Sequence, residues 1–146
     1  MEYQFYGWKT ADVHPCDRQF ESIRDPRHLY DILSGIWCEY TCAPRMRKDW
    51  SLENRTLGQC SITSFLAQDI FGGKVYGIPL KDGSVHCFND IDGCVFDLTS
   101  EQFKGEALDY EHVTEQFREN HFQKQEKYER YQYLKKALME YLGKGE

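Results

Sequence analysis

The amino-acid sequence predicts an α+β fold in which helices pack on a small antiparallel β-meander. Two stretches with apolar residues at helical spacing come first, and three short strand-like stretches with tight turns follow. A long charged stretch near the end again has helical spacing. The chain has 146 residues, of which 40% are hydrophobic. This length and composition suit a single domain over residues 1–146 with one core.

The first half of the chain predicts a wrapping segment and one helix. Residues 1–24 have little periodicity and are expected to wrap around the domain through aromatic anchors. Asp25-Pro26 marks a helix start, because Asp is a favoured N-cap and Pro a favoured first helical residue. The helix is expected over about 26–38, with Leu29, Ile32, Leu33, Ile36 and Trp37 at helical spacing. The polar residues 39–57 are predicted to form a loop.

The second helix is predicted to begin near Gly58-Gln59-Cys60 and to end at Gly72-Gly73, since glycine commonly follows a helix C-terminus. Its apolar stripe consists of Ile62, Phe65, Leu66 and Ile70. The predicted meander follows, with strands Val75–Leu80, Val85–Asn89 and Cys94–Leu98 and a tight turn at Asp82-Gly83.

The last third of the chain predicts a long closing helix. Thr99 and Gln102 have the spacing of a capping box, which indicates a short helical turn. Residues 104–112 are predicted to be a linker, and about 114–142 a C-terminal helix. The candidate contacts of this helix are Phe117, Tyr131, Leu134, Leu138 and Tyr141.

Cys60, His86 and Asp97 are the candidate catalytic residues. A thiol becomes a good nucleophile as thiolate, and a helix N-terminus or a neighbouring imidazolium lowers its pKa from roughly 8.5. A four-residue loop at 90–93 would place His86 directly opposite Asp97, on the face away from the apolar surface. The carboxylate would then orient one ring nitrogen and leave the other for the thiol.

Two further residues are candidate accessories. Gln59 either donates its side-chain amide to an oxyanion or is a polar surface residue. Asn89 is three residues from His86, so on a regular strand it points to the opposite face. We therefore expect Asp97 to be the third member of the triad and Asn89 to hold the loop 90–93, whereas a bulge in this strand would make Asn89 the third member instead.

The first hairpin is expected to align Pro79 with His86 and Gly77 with Phe88. Pro79 is typical of an edge strand, and Gly77 would leave room beside the histidine. An open edge of this kind can accept an extended peptide substrate by main-chain pairing.

The charge and the cysteine content limit the classes of partner, location and cofactor that we expect for this protein. The net charge is −6, with 24 acidic and 18 basic residues, which argues against nucleic-acid binding. Neither a membrane span nor a signal-peptide pattern is recognised, so the expected location is cytoplasmic, without membrane association. The six cysteines are then expected to be thiols. The pattern predicts no cofactor, and a zinc site using Cys16, Cys38, Cys42 and His14 is disfavoured by its spacing.

Five short motifs are specific to a family when they are taken in combination. They are Gly58-Gln59-Cys60-Ser61-Ile62-Thr63, Phe71-Gly72-Gly73, His86-Cys87-Phe88-Asn89, Asp97-Leu98-Thr99 with Gln102-Phe103, and Lys127-Tyr128-Glu129-Arg130-Tyr131. Together, over roughly residues 29–138, they resemble the YunG-like family of small bacterial proteins. More distantly, the layout resembles the papain-like and transglutaminase-like superfamily. This resemblance implies Cys60 as nucleophile, His86 as base and Asp97 as third member.

Three functional hypotheses follow. The first is a cysteine-dependent amide or isopeptide hydrolase or acyltransferase with a peptide or protein substrate. The second is a non-catalytic binding module of the same fold, in which exposed aromatics and the C-terminal helix bind a partner or form a homo-oligomer. The third, less favoured, is metal binding through Cys60, His86 and Asp97.

Overall fold

A computed structural model describes residues 3–144 of the chain. Four strands form one antiparallel sheet, and helices pack against it, which confirms the predicted α+β class. The elements are α1 (Pro26–Ser34), α2 (Cys60–Phe71), β1 (Lys74–Pro79), β2 (Val85–Ile91), β3 (Cys94–Phe96), β4 (Thr114–Gln116), α3 (Arg118–His121) and α4 (Gln125–Gly143). Short 3-10 helices lie at Trp8–Thr10, Arg18–Phe20, Pro44–Asp49 and Ser100–Phe103.

The start of α1 is the predicted one, but its end is earlier. Asp25 Oδ1 accepts a hydrogen bond of 3.0 Å from the backbone N–H of His28, and Pro26 opens the helix. The helix ends at Ser34 rather than near residue 38, because Gly35 is a poor helix former. Beyond this end, Trp37 is buried and donates through Nε1 to Thr63 Oγ1 at 3.0 Å. This bond joins the chain after α1 to α2.

Helix α2 is the central helix of the core. Nine of its twelve residues are buried, so its apolar character extends around the helix rather than along one stripe. It ends as predicted at Gly72, which has φ +83°. At Gly73 an added β-carbon would lie 2.6 Å from Asp90 O, so the close approach of this turn to β2 requires glycine.

The sheet order is β3-β2-β1-β4, and the register of the first hairpin differs from the predicted one. Ile78, not Pro79, lies opposite His86, and Gly77 lies opposite Cys87 rather than Phe88. Five residues, 80–84, connect the paired ends Pro79 and Val85. Hydrogen bonds inside this loop decide its length: Leu80 N donates to Ser84 O at 2.8 Å and Gly83 N to Leu80 O at 3.1 Å.

The second hairpin, in contrast, is tighter than predicted. Asn89 pairs with Phe96 and Ile91 with Cys94, so the turn is the two residues Asp92-Gly93 instead of the four residues 90–93. Both turn residues have positive φ, 52° and 91°, as a two-residue hairpin of this type requires. The register is thus shifted by two residues. Because side chains alternate with a period of two, the shift leaves each side chain on its predicted face.

The predicted C-terminal helix over 114–142 is wrong in its first part. Residues 114–116 form β4, which pairs with β1 through Val75–Gly77, and α4 begins at Gln125. The predicted open edge of β1 is therefore occupied. The space at Gly77 is also filled, since an added β-carbon there would lie 2.8 Å from Gln116 Nε2. Of the expected contacts of this region, Tyr131, Leu134 and Leu138 are buried, whereas Phe117 and Tyr141 are exposed.

In the described part of the N-terminal segment, Phe5, Phe20 and Ile23 are fully buried and anchor the segment to the domain. Tyr6 forms an isolated antiparallel bridge with Asp97, whose backbone N–H donates to Tyr6 O at 3.0 Å. This bridge continues the sheet beyond the end of β3. Within residues 3–144, no helix has both the length and the apolar character needed to cross a membrane.

Candidate active site

Cys60 is the first residue of α2 and lines a cleft of about 850 Å³. Its side chain is partly exposed. The N-cap residue Gln59 makes no side-chain hydrogen bond to the helix, so the first N–H groups of α2 are not capped by it. The positive end of the helix dipole therefore lies at the sulfur.

The short length of β3 makes room for Cys60. Among the described residues, β3 pairs with β2 at Asn89–Ile91, and residues 85–88 of β2 have no strand on that side. The N-terminus of α2 approaches this part of β2. Cys60 Sγ lies 4.0 Å from Val85 O. The cysteine is thus held beside the strand that carries His86.

His86 and Asp97 form a buried pair. His86 Nε2 lies 2.6 Å from Asp97 Oδ2, and each side chain is 1% exposed. The two residues are not directly opposite, because Asp97 follows the end of β3, but they share a face and lie diagonally. That face, which the sequence placed away from the apolar surface, is covered by side chains that follow β3 in the chain. The Phe103 ring, for example, packs edge-on against the imidazole at a centroid distance of 4.7 Å.

Tyr110 is a site residue that the sequence did not predict. Its hydroxyl donates to Asp97 Oδ2 at 2.8 Å, and its ring stacks on Tyr6 at 3.8 Å. Burial, together with the charge of Asp97, raises the pKa of Tyr110. The residue lies in the predicted linker 104–112, where one tyrosine between acidic residues has no pattern that indicates a role.

The sulfur and the imidazole shift each other's pKa toward the charged forms. Hydrogen bonding from the Cys87 thiol and from His86 lowers the pKa of Cys60 well below its usual value, against the opposing effect of burial. Burial alone would lower the pKa of His86, but the charge and hydrogen bond of Asp97, and the contact with Cys60, raise it to about 10. At neutral pH the arrangement favours a thiolate beside an imidazolium.

Cys87 is a second residue that the sequence did not assign to the site. Its thiol interacts with the Cys60 sulfur, and this contact, together with burial, raises the pKa of Cys87 well above its usual value. Cys87 therefore remains a thiol and acts as a hydrogen-bond donor toward the Cys60 thiolate.

The two predicted accessory residues differ from expectation. Gln59 is fully buried, so the surface alternative is wrong. Its Nε2 donates to Cys38 O at 3.2 Å, while its Oε1 has no partner among the described residues.

Asn89 faces away from His86 as predicted, but it does not hold the loop 90–93. Its Nδ2 donates to Ser64 O of α2 at 2.9 Å, and the turn is held by Asp90, whose Oδ1 accepts from Gly93 N at 2.8 Å.

The geometry does not favour the metal hypothesis. His86 Nε2 is bonded directly to Asp97, so this nitrogen is already occupied by the carboxylate. Over residues 3–144, no group of three His, Cys, Asp or Glu side chains has an arrangement that suits a metal ion.

Comparison with known proteins places the chain in a family. A family model described as YunG protein matches residues 25–143. An uncharacterized YunG protein of Bacillus subtilis strain 168 is 32% identical over 116 residues, which cover 80% of this chain and 93% of that protein. No solved structure shows significant similarity to the chain. These matches confirm the resemblance to the YunG-like family, and the chain belongs to the YunG family.

Proposed function

We propose that this protein is a thiol-dependent enzyme that acts on amide or isopeptide bonds. The observation that carries the proposal is that Cys60 and His86 line one cleft, with His86 Nε2 bonded to Asp97 at 2.6 Å. The proximity of His86 also lowers the pKa of Cys60. A sulfur, an imidazole and a carboxylate in this order are the arrangement of a cysteine nucleophile with an oriented base. The proposal includes a papain-like or transglutaminase-like arrangement of the core.

In the proposed mechanism, the Cys60 thiolate attacks the carbonyl carbon, and a C–S bond forms as the carbonyl oxygen becomes an oxyanion. His86 is bonded to Asp97 through Nε2, which leaves Nδ1 for the sulfur and the leaving group. The imidazolium gives its proton to the leaving amine as the C–N bond breaks. Neutral His86 then takes a proton from water or from an amine, which attacks the thioester and releases the thiolate. Water makes the enzyme a hydrolase, and an amine makes it an acyltransferase.

The oxyanion in this mechanism is bound by backbone N–H groups at the start of α2. These groups lie next to Cys60 and are not capped by the Gln59 side chain, which supports this role. Gln59 itself holds Cys38 O with one amide hydrogen, which leaves its second hydrogen for an accessory role. A peptide or protein is the proposed substrate, and the 850 Å³ cleft has a volume that suits a segment of this kind.

The pH dependence of alkylation tests the proposal. With iodoacetamide and peptide mapping, Cys60 should already be labelled rapidly at pH 6, and its rate should stay constant until His86 loses its proton near pH 10. The exposed Cys16 is an internal control for the reactivity of a thiol outside the cleft. His86→Gln should shift the Cys60 profile toward that of Cys16. Equal profiles for the two cysteines in the natural chain would contradict the proposal, as would amide cleavage that survives Cys60→Ala.

A second candidate, a non-catalytic binding module, is supported by exposed tyrosines on α4. Tyr133 is 47% and Tyr141 is 46% exposed, although the helix buries Leu134 and Leu138 in the core. In this case Cys60 would titrate as an ordinary thiol, and Tyr133→Ser with Tyr141→Ser would weaken self-association in sedimentation experiments. A monomer at all concentrations, together with rapid labelling of Cys60 at pH 6, would exclude the module.

A further inference from the structure

Lys127 lies in the first turn of α4 and lines the same cleft as Cys60 and His86. Its Nζ donates a hydrogen bond of 2.9 Å to Nδ1 of His121. Nε2 of His121 donates in turn to Oε1 of Gln116, at 2.8 Å. Gln116 packs over Gly77, where a β-carbon would not fit. The ammonium group is therefore held in place by a chain of contacts that begins at the sheet.

The partner of Lys127 in this chain is neutral. Burial, with the positive charge of Lys127, lowers the pKa of His121 to about 4. At neutral pH the imidazole accepts the lysine hydrogen bond and brings no negative charge to the lysine. The hydrogen bond thus positions the cation without neutralising it.

The ammonium also lacks a carboxylate partner within the structure. Among residues 3–144, no Asp or Glu oxygen lies within ion-pair distance of Lys127. The other charged side chains of the cleft are largely paired: Arg130 with Glu126, Arg45 with Asp82, and Glu115 with Lys74. Lys124 and Lys127 remain, so the cleft is locally positive in a chain whose net charge is −6.

The backbone adds to this positive potential. Both α2 and α4 begin at the cleft, where Cys60 and Lys127 line it, and neither helix has a side-chain cap at its N-terminus. The positive ends of the two helix dipoles therefore lie on the cleft side. A partly buried, fixed cation in such a site favours the binding of an anionic ligand.

We infer that Lys127 selects amide substrates that carry a carboxylate beside the scissile bond. The inference rests on the proposed function, because it assigns the carboxylate a position next to the acyl group attacked by Cys60. Lys127 acts here as a specificity-determining residue. The alternative role for Lys127 is that of a counter-ion to the Cys60 thiolate, which would not distinguish between substrates.

Two alkylating reagents of similar size separate these roles. The Cys60 thiolate attacks the methylene carbon of either reagent, the C–S bond forms, and iodide leaves with the C–I electrons. Iodoacetate carries a carboxylate, whereas iodoacetamide is neutral. The measured quantity is the ratio of the Cys60 rate with iodoacetate to the rate with iodoacetamide at pH 7, by peptide mapping. Lys127→Met is the test variant, and Lys136→Met, which removes an exposed charge from the same helix, is the matched control.

Lys127→Met should lower the iodoacetate-to-iodoacetamide ratio by about threefold to tenfold, the effect of one partly screened charge near the reagent. Lys136→Met should leave the ratio unchanged. A counter-ion role would lower both rates equally, so an unchanged ratio in Lys127→Met overturns the inference while the proposed function stands. If Cys60 of the natural chain reacts slowly with both reagents, the proposed function fails, and the inference fails with it.

A competition experiment on the natural chain avoids any effect of substitution on folding. Sodium propionate and propionamide have similar shapes, and propionate has the carboxylate. Propionate should slow iodoacetamide labelling of Cys60 at concentrations where propionamide and sodium chloride do not. Equal protection by propionate and by sodium chloride would show that general ionic strength is responsible, and would overturn the inference.

Discussion

The Tyr110 hydroxyl and the Asp97 carboxylate are joined by a hydrogen bond of 2.8 Å, on the same oxygen that binds His86. Asp97 is 1% exposed, so this oxygen has no access to bulk water. Tyr110 therefore supplies a hydrogen bond that solvent would otherwise provide to a carboxylate. The linker that carries Tyr110 is therefore part of the candidate active site.

Tyr110→Phe should lower the free energy of unfolding by about 1–3 kcal/mol, because a buried carboxylate loses one hydrogen-bond donor while the stacked ring remains. Urea denaturation at pH 7 measures the change. Tyr128→Phe, at a more exposed position, is the control and should change the free energy by less than about 0.5 kcal/mol. Equal effects of the two substitutions would show that the Tyr110 bond does not contribute.

Asp97→Asn should reduce the rate of Cys60 labelling at pH 6 by about tenfold or more. The charge of Asp97 helps to raise the pKa of His86 to about 10, so its removal favours neutral imidazole and weakens the stabilisation of the thiolate. The measurement is iodoacetamide labelling between pH 5 and pH 9. Asp109→Asn removes an exposed carboxylate that pairs with His112, and the Cys60 rate should not respond to it.

Cys87→Ala should raise the pKa of Cys60, because the thiolate loses its thiol donor. Cys87→Ser retains a donor at this position and should cause a smaller rise. The midpoint of the labelling rate against pH measures both. If the two variants have the same midpoint as the natural chain, the contact of the sulfurs does not stabilise the thiolate.

Asn89→Ala should lower the free energy of unfolding by about 1–3 kcal/mol, since the bond from its amide to Ser64 O joins the sheet to α2 in the core. The pH profile of Cys60 labelling should be unchanged, because Asn89 lies on the face opposite His86. A profile shifted as in Asp97→Asn would assign Asn89 to the catalytic group instead. Denaturation and labelling of the same preparation decide between these outcomes.

His121 should make the protein less stable at acidic pH. Its pKa in the folded chain is about 4, below the ordinary value of 6.5, so the unfolded chain binds more protons between these two values. Stability from this residue is complete above about pH 6.5 and falls as the pH decreases toward 4. The expected loss, reduced for partial solvent screening, is on the order of 1–2 kcal/mol.

Urea denaturation of the natural chain and of His121→Gln at pH 7 and pH 4.5 tests this effect. The difference in unfolding free energy between the two pH values should be smaller in His121→Gln, while His14→Gln, at an exposed position, should behave as the natural chain. The same acid loss in all three proteins would assign it to other groups.

Local signals account for the parts of the fold that were predicted correctly. Asp25-Pro26 and Gly72 mark helix boundaries because caps depend on a few adjacent residues. His86 and Asp97 were assigned to one face although the register was wrong. The error was two residues, and strand alternation has a period of two, so the assignment of faces survived.

Contacts between distant parts of the chain account for the features of the fold and of the site that were not predicted. Residues 114–116 have no strong strand pattern, and they pair because the edge of β1 is available to them. The short β3 lets α2 bring Cys60 to β2, and the linker brings Tyr110 to Asp97.

The sequence by itself determined which thiol, imidazole and carboxylate to consider, because helix starts and strand alternation are local properties. Tertiary structure alone decided their burial, the role of Cys87 and the approach of Lys127 to the cleft. These features depend on elements that are far apart in the chain, and no short-range pattern encodes such distances.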